Sequence, residues 1–329
     1  MANLKTKYLG LELKNPIIIG SSGLTSTVEK IREIEQKGAG AVVLKSLFEE
    51  QIEYEAEMTV DEQQTKGFHY QEAADYLKGY SRDFNVGNYL KLIKEAKAAV
   101  DIPVIASVNC ISAREWISYA KKFEEAGADA LELNIFILPS DPATDGRSNE
   151  KVYFEIAEKV KKTVKIPVAL KISYYFSGAA NTFRELSWTG VEGLVLFNRF
   201  FSPDIDIEKM KVTSSFVFST PEEVTISLRW IAMMSDLVHC DLCASTGIHD
   251  GKAVVKQLLA GAKATQIASV IYKEGLDKIG EMLNEIQEWM DRHGYENIED
   301  FRGKMSKKEL KNPAAYERVQ FMKHFSGIE

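Results

Sequence analysis

The feature that most constrains the fold is a short turn that recurs along the chain, where a helical pattern ends and an apolar strand follows. In one type glycine stops the helix, because it adopts the left-handed conformation easily. In the other type proline stands at the strand start, a position where it is tolerated. The glycine type occurs at 38–44, 127–133, 190–196 and 261–264, and the proline type at 101–106 and 165–170. The repetition predicts strands that alternate with helices.

Eight short apolar segments fit this alternation. Near-continuous apolar strands are typical of a parallel sheet covered on both faces, and eight of them predict a closed (β/α)8 TIM barrel in the α/β class. An open, doubly wound sheet is the alternative, which the lack of a GxGxxG motif after the first strand disfavours. The predicted strands are 16–19, 41–44, 104–108, 130–135, 168–172, 193–197, 242–244 and 264–267.

The spacing of these segments predicts a single domain over residues 1–329. Two connections, 47–86 after the second strand and 198–219 after the sixth, are too long for simple turns. Loops of that length usually act as lids or binding loops, so both are predicted to border the active site. An amphipathic helix over 276–289 is predicted to close the barrel, and the charged tail 295–329 to pack outside it.

Composition excludes several classes of function. The 329 residues carry a formal net charge of −7, which disfavours nucleic acid or an anionic membrane as the main partner. No apolar run is long enough to span a bilayer, and no signal or transit peptide is evident. Cys240 and Cys243 have CxxC spacing without a second pair, which favours core packing over a metal site. We therefore expect a cytoplasmic protein with a small-molecule substrate; a homodimer stays an open alternative.

Polar residues follow almost every predicted strand, where a barrel presents side chains to its substrate. Two of them, Lys45 and Lys171, would be costly to bury unpaired and should meet an anion or an electron-rich ring. The asparagines offer donors and acceptors to a flat heterocycle. No metal-ligand spacing is present, so no metal is expected. The strand-end residues are Ser21, Ser22, Gly23, Lys45, Ser46, Ser107, Asn109, Asn134, Lys171, Ser173, Asn198, Thr246, Gly247, Ala268 and Ser269.

The segment 241–275 contains the last two predicted strands, each ending in small residues. Thr246 and Gly247 follow one strand, and Ala268 and Ser269 follow the other. Small side chains let a phosphate approach backbone N–H groups, and barrels commonly hold a phosphate after strands seven and eight. The segment therefore predicts an anion-binding cradle.

Several motifs, taken in order, resemble one family. They are Asn15-Pro16-Ile17-Ile18-Ile19-Gly20-Ser21-Ser22-Gly23, Val43-Leu44-Lys45-Ser46, Asn85-Val86-Gly87, Leu133-Asn134, Ala169-Leu170-Lys171, Phe197-Asn198, Ser245-Thr246-Gly247-Ile248, Gln266-Ile267-Ala268-Ser269, Lys273-Glu274-Gly275 and Asp300-Phe301-Arg302-Gly303. Their order and spacing resemble the dihydroorotate dehydrogenases, FMN-dependent barrels of pyrimidine biosynthesis. The resemblance is to the class without a membrane-attached extension.

The resemblance implies FMN as the cofactor, with its phosphate held by backbone amides of the cradle. It implies that Lys171, with Lys45 as a second candidate, stabilises negative charge on the reduced ring. The implied cofactor contacts are Ser22, Gly23, Lys45, Ser46, Ser107, Asn109, Asn134, Lys171, Asn198, Thr246, Gly247, Ala268 and Ser269. The implied substrate contacts are Lys45, Asn85, Asn134 and Asn198.

The sequence departs from the family in the loop after Asn134. The family places a Cys or Ser there as the base that removes a substrate proton, but this chain has Ile137 or Leu138 at that position. Neither side chain can accept a proton. Ser140 or Asp141 would serve only if the loop folds inward, and Ser140 joins Lys45 and Lys171 as a candidate catalytic residue.

The leading hypothesis is thus an FMN-dependent oxidoreductase that oxidises a CH–CH bond, as dihydroorotate dehydrogenases do. One alternative is a flavin enzyme for a different dihydropyrimidine-like substrate. Another is a Schiff-base barrel using Lys171, and a third is a non-catalytic protein that binds FMN or a metabolite. The electron acceptor and the oligomeric state stay open.

Overall fold

The computed structural model describes residues 2–49, 71–110, 113–199, 203–214, 218–312 and 314–317. Within these ranges the chain alternates strands with helices for most of its length. The strands are Thr6–Tyr8 (β1), Leu11–Leu13 (β2), Ile17–Ile19 (β3), Ala41–Val43 (β4), Leu47–Phe48 (β5), Val104–Asn109 (β6), Ala130–Asn134 (β7), Val168–Ile172 (β8), Gly193–Leu196 (β9), Pro203–Asp206 (β10), Lys211–Ser214 (β11), Asp241–Ser245 (β12) and Ala264–Ile267 (β13).

A closed parallel barrel forms the centre of the fold. Its eight strands are β3, β4, β6, β7, β8, β9, β12 and β13, paired around the ring in that order. The ring closes because β13 pairs with β3 and β4 pairs with β6. The short strand β5 extends the carboxyl end of the sheet by pairing beside Val108 and Asn109. The (β/α)8 barrel predicted from the sequence is confirmed.

Helices surround the barrel and bury one face each against it. In the last long helix, for example, the buried residues are Ile279, Met282, Ile286 and Met290, which is the spacing of one helical face. The helices are Val28–Gln36 (α1), Gln71–Ala99 (α2), Ala113–Glu125 (α3), Gly146–Thr163 (α4), Ala179–Leu186 (α5), Val224–Met234 (α6), Gly251–Ala260 (α7), Ser269–Glu274 (α8), Lys278–His293 (α9) and Ala314–Glu317 (α10).

The recurring glycine turn does what the sequence predicts. Gly261 ends α7 in the left-handed region, with φ of 116°. A side chain there would also meet Ser235, whose Cβ lies 2.4 Å from the ideal position of an added Cβ. Glycine is therefore required for both backbone conformation and space, and the chain turns directly into β13.

The hairpin formed by β1 and β2 closes the amino end of the barrel. Its Tyr8 and Leu9 are about 1% exposed and pack on the small apolar residues that face the barrel interior. The Leu9 N–H donates to Asp241 Oδ2 at 2.8 Å, and Thr6 Oγ1 donates to the Lys263 carbonyl at 3.0 Å. The hairpin thereby fills the end opposite the predicted site.

Inward-facing positions change from apolar to polar along the strands. On β7 the inward residues are Ala130, then Glu132, then Asn134, and on β8 Ala169 is followed by Lys171. The alanines lie in the interior apolar cluster, and every second residue of a strand faces the same side. The carboxyl end of the barrel therefore carries the polar groups, as its strand-end residues predicted.

Some elements differ from the sequence-based prediction. The connection predicted as a loop over 47–86 contains β5, and from Gln71 onward it is α2; residues 50–70 lie outside the described residues. The stretch 71–78 begins with Gln71, Glu72, Ala73 and Ala74 and ends with Leu77 and Lys78, which are all strong helix formers. The connection after β9 contains the hairpin β10–β11. Among the described residues, no helix combines the length and the apolar character needed to cross a membrane.

Candidate active site

A cavity of about 310 Å3 lies at the carboxyl end of the barrel. Residues that follow β3, β4, β7, β8, β9, β12 and β13 contribute to its walls, so the barrel brings together groups distant in the sequence. The lining residues are Gly20, Ser21, Ser22, Gly23, Lys45, Ser46, Phe48, Asn134, Lys171, Asn198, Arg199, Ser219, Ser245, Thr246, Gly247, Ile248, Gln266, Ile267, Ala268 and Ser269.

Lys171 and Gln266 contribute inward-facing side chains to this cavity. Lys171 Nζ donates to Gln266 Oε1 at 2.7 Å, and the lysine side chain is 12% exposed. Gln266 is 2% exposed and in turn donates through Nε2 to Glu132 Oε2. The lysine ammonium is thus fixed in place, with donor capacity left for a ligand.

A chain of hydroxyl groups connects the first three barrel strands. Ser46 Oγ lies 2.9 Å from Ser21 Oγ and 2.6 Å from Ser107 Oγ. The Ser46 N–H also donates to Ser21 Oγ at 2.8 Å. On the far side, Tyr89 OH both accepts from the Ser107 N–H and donates to the Ser107 carbonyl, and burial raises the pKa of Tyr89. This network fixes the turn that carries the exposed Lys45.

The turn after β12 has an unusual backbone. Thr246 and Gly247 both lie in the left-handed region, with φ of 75° and 76°. An added Cβ at Gly247 would lie 2.1 Å from the Val224 nitrogen, so no larger residue fits. Neither the Gly247 N–H nor the Ala268 N–H donates to a backbone carbonyl of the described residues. Two turns of small residues thus offer backbone donors to the same cavity, which suits an anion.

Ser219 links the cradle to the connection after β9. Its N–H donates to Ser269 Oγ at 3.0 Å, and its carbonyl accepts from Lys273 Nζ at 2.7 Å. Its hydroxyl lies 3.0 Å from His249 Nε2. Burial, and next the charge of Lys273, lowers the pKa of His249. A neutral imidazole therefore supports this side of the cradle at neutral pH.

Two asparagines face the cavity in different ways. Asn134 carries a buried Oδ1 without a hydrogen-bond partner among the described residues, which leaves an acceptor for a ligand donor. Asn198 uses its Nδ2 to bond the carbonyls of Lys171 at 3.0 Å and Ile135 at 3.3 Å. Its amide nitrogen thus ties strand ends together, and its oxygen is the atom left for a ligand.

Arg199 is the third cationic residue that lines the cavity, after Lys45 and Lys171. Its Nε lies 3.3 Å from Glu223 Oε1, and its side chain also donates to the Phe218 carbonyl at 3.2 Å. Arg199 borders a second cavity of about 250 Å3, which shares Asn198, Ser245 and Thr246 with the first. Tyr174, Tyr175 and Phe197 also line this second cavity. Together these groups extend the site along the barrel rim.

The loop after β7 does not reach the main cavity. The Ile137 N–H donates to Tyr153 OH at 3.1 Å, and Leu138 is 52% exposed. Ser140 is exposed and Asp141 is held in a local turn, accepting from Thr144 Oγ1 and the Ala143 N–H. Those bonds, the one from Thr144 first, lower the pKa of Asp141. The structure therefore leaves Ser140 and Asp141 outside the cavity.

The predicted site residues divide into two groups. Those that line the cavity are Ser22, Gly23, Lys45, Ser46, Asn134, Lys171, Asn198, Thr246, Gly247, Ala268 and Ser269. Ser107, Asn109, Asn85 and Ser140 do not line it. Ser107 lies one layer behind Ser46, β5 pairs beside Asn109, and Asn85 lies on α2.

Sequence reasoning did not assign four polar lining residues to the site: Gln266, Arg199, Ser219 and Ser245. Gln266 had a readable signal, since it is a lone amide in the apolar strand Ala264–Ile267, and buried polar residues are informative. Arg199 directly follows a predicted site residue. Ser219 had no comparable signal, because its place depends on the long connection after β9.

The barrel, its cavity and its cradle define a (β/α)8 protein with a candidate site for an anionic small molecule. The family model for dihydroorotate dehydrogenase matches residues 71–290. The catalytic subunit of dihydroorotate dehydrogenase B (NAD+) from Thermoplasma volcanium is 27% identical over 314 residues, covering 92% of this chain and 98% of that protein. The same subunit from Methanocaldococcus jannaschii is 27% identical over 296 residues, covering 86% and 92%. Dihydroorotate dehydrogenase A (fumarate) from Lactococcus lactis is 25% identical over 322 residues, covering 92% and 99%.

The chain belongs to the dihydroorotate dehydrogenase family, a family of oxidoreductases. The resemblance inferred from the sequence is thereby confirmed. The match includes β6 to β13 and the connections between them, and the relatives named above align with nearly the whole chain.

Proposed function

We propose that this protein is an FMN-dependent oxidoreductase that acts on a CH–CH bond of a dihydropyrimidine-like substrate. The observation that carries the proposal is the pairing, within one cavity, of a small-residue anion cradle with two lysines. Gly247, Ala268 and Ser269 border the cradle, and Lys45 and Lys171 line the same cavity. Dihydroorotate is the first substrate to test, since the relatives are named for it.

The residues fit FMN on three points. The Gly247 and Ala268 N–H groups donate to no backbone carbonyl of the described residues, so both can donate to a phosphate. The unpartnered Asn134 Oδ1 suits a donor on the ring or the ribityl chain. The Lys171 ammonium suits the edge of the ring that becomes negative on reduction.

Bound FMN would supply the hydride acceptor. The protein's own part would be to orient the reactants and to stabilise charge: Lys171 would place a cation beside the pyrimidine edge of the ring, and Ser22 and Gly23, which line the cavity, would border the ring. Asn198 would present its oxygen to the substrate, and the exposed Lys45 would bind the substrate carboxylate. Fixed charges of this kind cost little reorganisation during the reaction.

A substrate other than dihydroorotate is the second candidate, and two observations favour it. Residues 136–141 do not line the cavity, so the family's base position is not served by this loop. Among the described residues that line the cavity, the ionisable groups are the cations Lys45, Lys171 and Arg199. A substrate with more negative charge, or one that needs no protein base, would suit such a site.

The test is anaerobic flavin reduction, followed optically after FMN loading. Dihydroorotate and other anionic dihydropyrimidines are compared at equal concentration. If dihydroorotate is the substrate, it reduces the flavin at a rate typical of an enzyme. If a base is lacking, its rate falls by about 10²-fold or more, the usual contribution of a general base. Protein that takes up no FMN would contradict the proposal as a whole.

A further inference from the structure

Glu132 lies inside the barrel, one layer below the cavity. It is 1% exposed and occupies the inward position of β7 between Ala130 and Asn134. It does not line the cavity itself. A carboxylate is costly to bury unless charge and hydrogen bonds compensate it, so its surroundings should show what it does.

Gln266 connects this carboxylate to the cavity. Its Nε2 donates to Glu132 Oε2, and its Oε1 accepts from Lys171 Nζ at 2.7 Å. The two bonds fix which way the amide points, since the ammonium has no acceptor and the carboxylate has no donor. Gln266 therefore holds a cation on one side and an anion on the other.

The direct contact between the charges is looser. Glu132 Oε1 lies 3.7 Å from Lys171 Nζ, beyond hydrogen-bond length, and has no hydrogen-bond partner among the described residues. The ammonium is thus held away from the carboxylate and toward the cavity. If the Lys171 ammonium and the Glu132 carboxylate formed a direct hydrogen bond, the carboxylate would offset more of the positive charge that acts on a ligand.

We propose that Glu132 is a positioning residue for this site. Through Gln266 it fixes the Lys171 ammonium at the cavity, and its negative charge limits how strongly that ammonium stabilises an anionic ring. The proposal rests on the proposed flavin function and deepens it, because it names the group that sets the flavin's affinity for electrons.

The direction of the effect follows from charge. Removing the carboxylate charge leaves the Lys171 cation uncompensated, so negative charge on the ring becomes more favourable. We therefore expect an effect of about tenfold on a reaction that places one negative charge on the ring.

The experiment is a sulfite titration of FMN-loaded Glu132→Gln, which keeps the side-chain shape. Sulfite adds to an oxidised flavin and leaves negative charge on its pyrimidine side. The expected result is a sulfite Kd about tenfold lower than in the wild type. The midpoint potential should rise correspondingly, by about 30 mV for a two-electron couple. A sulfite Kd within twofold of the wild type, in a variant that binds FMN, would overturn the proposal.

Glu192→Gln is the matched control. Glu192 also pairs with a lysine, Lys161, at 2.7 Å and accepts from the Val168 N–H at 2.8 Å, but at the amino end of the barrel. The Glu192→Gln variant should have a lower melting temperature than the wild type and the same sulfite Kd. A parallel change in both variants would assign Glu132 a structural role alone.

A second variant covers the case in which Glu132→Gln does not fold. Gln266→Met keeps both charges and removes the bridge, so Lys171 can approach Glu132 directly. Sulfite should then bind more weakly than in the wild type, and unchanged binding would count against the proposal. Wild-type protein that takes up no FMN is a separate outcome, which contradicts the flavin function and with it the proposed role of Glu132.

Discussion

Gly247 is the residue at which backbone conformation and packing most narrowly limit the side chain. Its φ of 76° lies in the left-handed region, and the preceding Thr246 shares that conformation despite its branched side chain. The nearest atoms to an added Cβ belong to the backbone of Glu223 and Val224, which begins α6. A backbone neighbour cannot rotate away, so the position tolerates glycine alone.

We predict that Gly247→Ala lowers the free energy of unfolding by about 3 kcal/mol or more, since it adds left-handed strain to overpacking. FMN affinity should fall with it, because α6 and the cradle turn must move apart. Gly127→Ala is the control: its φ is 94°, but no atom lies within 4 Å of an added Cβ. It should cost about 1 kcal/mol. Urea unfolding of both variants measures the difference, and equal costs would contradict the packing argument.

His249 gives a prediction about pH. Burial and the nearby Lys273 lower its pKa below the usual 6.5, so the folded state binds fewer protons than the unfolded state in this range. Its contribution to stability is complete above about pH 6.5 and is lost as the pH falls through the lowered pKa. The charged neighbours facing it are Lys273, Glu274, Asp250 and Glu223.

Melting temperatures of wild type and His249→Gln should therefore be compared between pH 5 and pH 8. The wild type should lose stability relative to the variant as the pH falls, because protonating the buried ring is unfavourable. A difference that stays constant with pH would show that His249 does not titrate in this environment.

Several site residues could be predicted because their type alone was informative. Lys45, Lys171 and Asn134 follow strands, and lysine or asparagine at such a place needs a polar partner. How far below the cavity a strand-end side chain lies could not be predicted, because that depends on how far the neighbouring strands extend. Ser107 lies behind Ser46 for this reason, and Asn109 beside β5.

At the scale of elements, the β1–β2 hairpin was not predicted, because its turn lacks the residues that usually mark one. Leu9 and Gly10 both have positive φ, 54° and 76°, which is the conformation of a two-residue type I′ turn. Such turns favour Asn-Gly, and leucine is unusual at the first position. Here Leu9 is buried in the barrel end, so tertiary packing compensates the local strain. The barrel strands, by contrast, were predictable because they are short and mostly apolar, and a glycine or proline turn precedes six of the eight.

Asp241 attaches this hairpin to the barrel, through its bond from the Leu9 N–H at 2.8 Å. We predict that Asp241→Ala lowers the free energy of unfolding by about 1–3 kcal/mol, the cost of leaving a buried donor unpaired. Asp241→Asn, which keeps an acceptor, should cost less. Both changes lie at the end of the barrel opposite the cavity, so FMN affinity should stay the same.

Lys7→Ala on the same hairpin is the control. Lys7 lies 3.6 Å from Glu12, and both side chains are more than 60% exposed, so little stability depends on this pair. A loss of stability as large as that of Asp241→Ala would mean that any change in the hairpin disrupts the barrel end, and that the Leu9 bond has no special role.

At the scale of the whole molecule, the two ends of the barrel differ in chemical character. The interior of the amino end is apolar and closed by the hairpin, and the cavity at the carboxyl end is lined by three cationic side chains although the chain has a net charge of −7. The local charge of the cavity is thus opposite to that of the chain. An anionic ligand is attracted by the site, while the remaining surface disfavours other anions.

This separation predicts how ligands affect overall stability. A ligand that binds the folded state alone stabilises it by about 2.7 kcal/mol at a hundred times its Kd. FMN should therefore raise the melting temperature, and riboflavin, which lacks the phosphate, should raise it less at the same concentration.

Lys171→Met should weaken the binding of both ligands, because it removes the cation beside the ring, whereas Gly247→Ala should weaken FMN binding more than riboflavin binding. Thermal unfolding with each ligand checks the four combinations. Equal shifts from FMN and riboflavin in the wild type would show that the turns after β12 and β13 do not hold the phosphate.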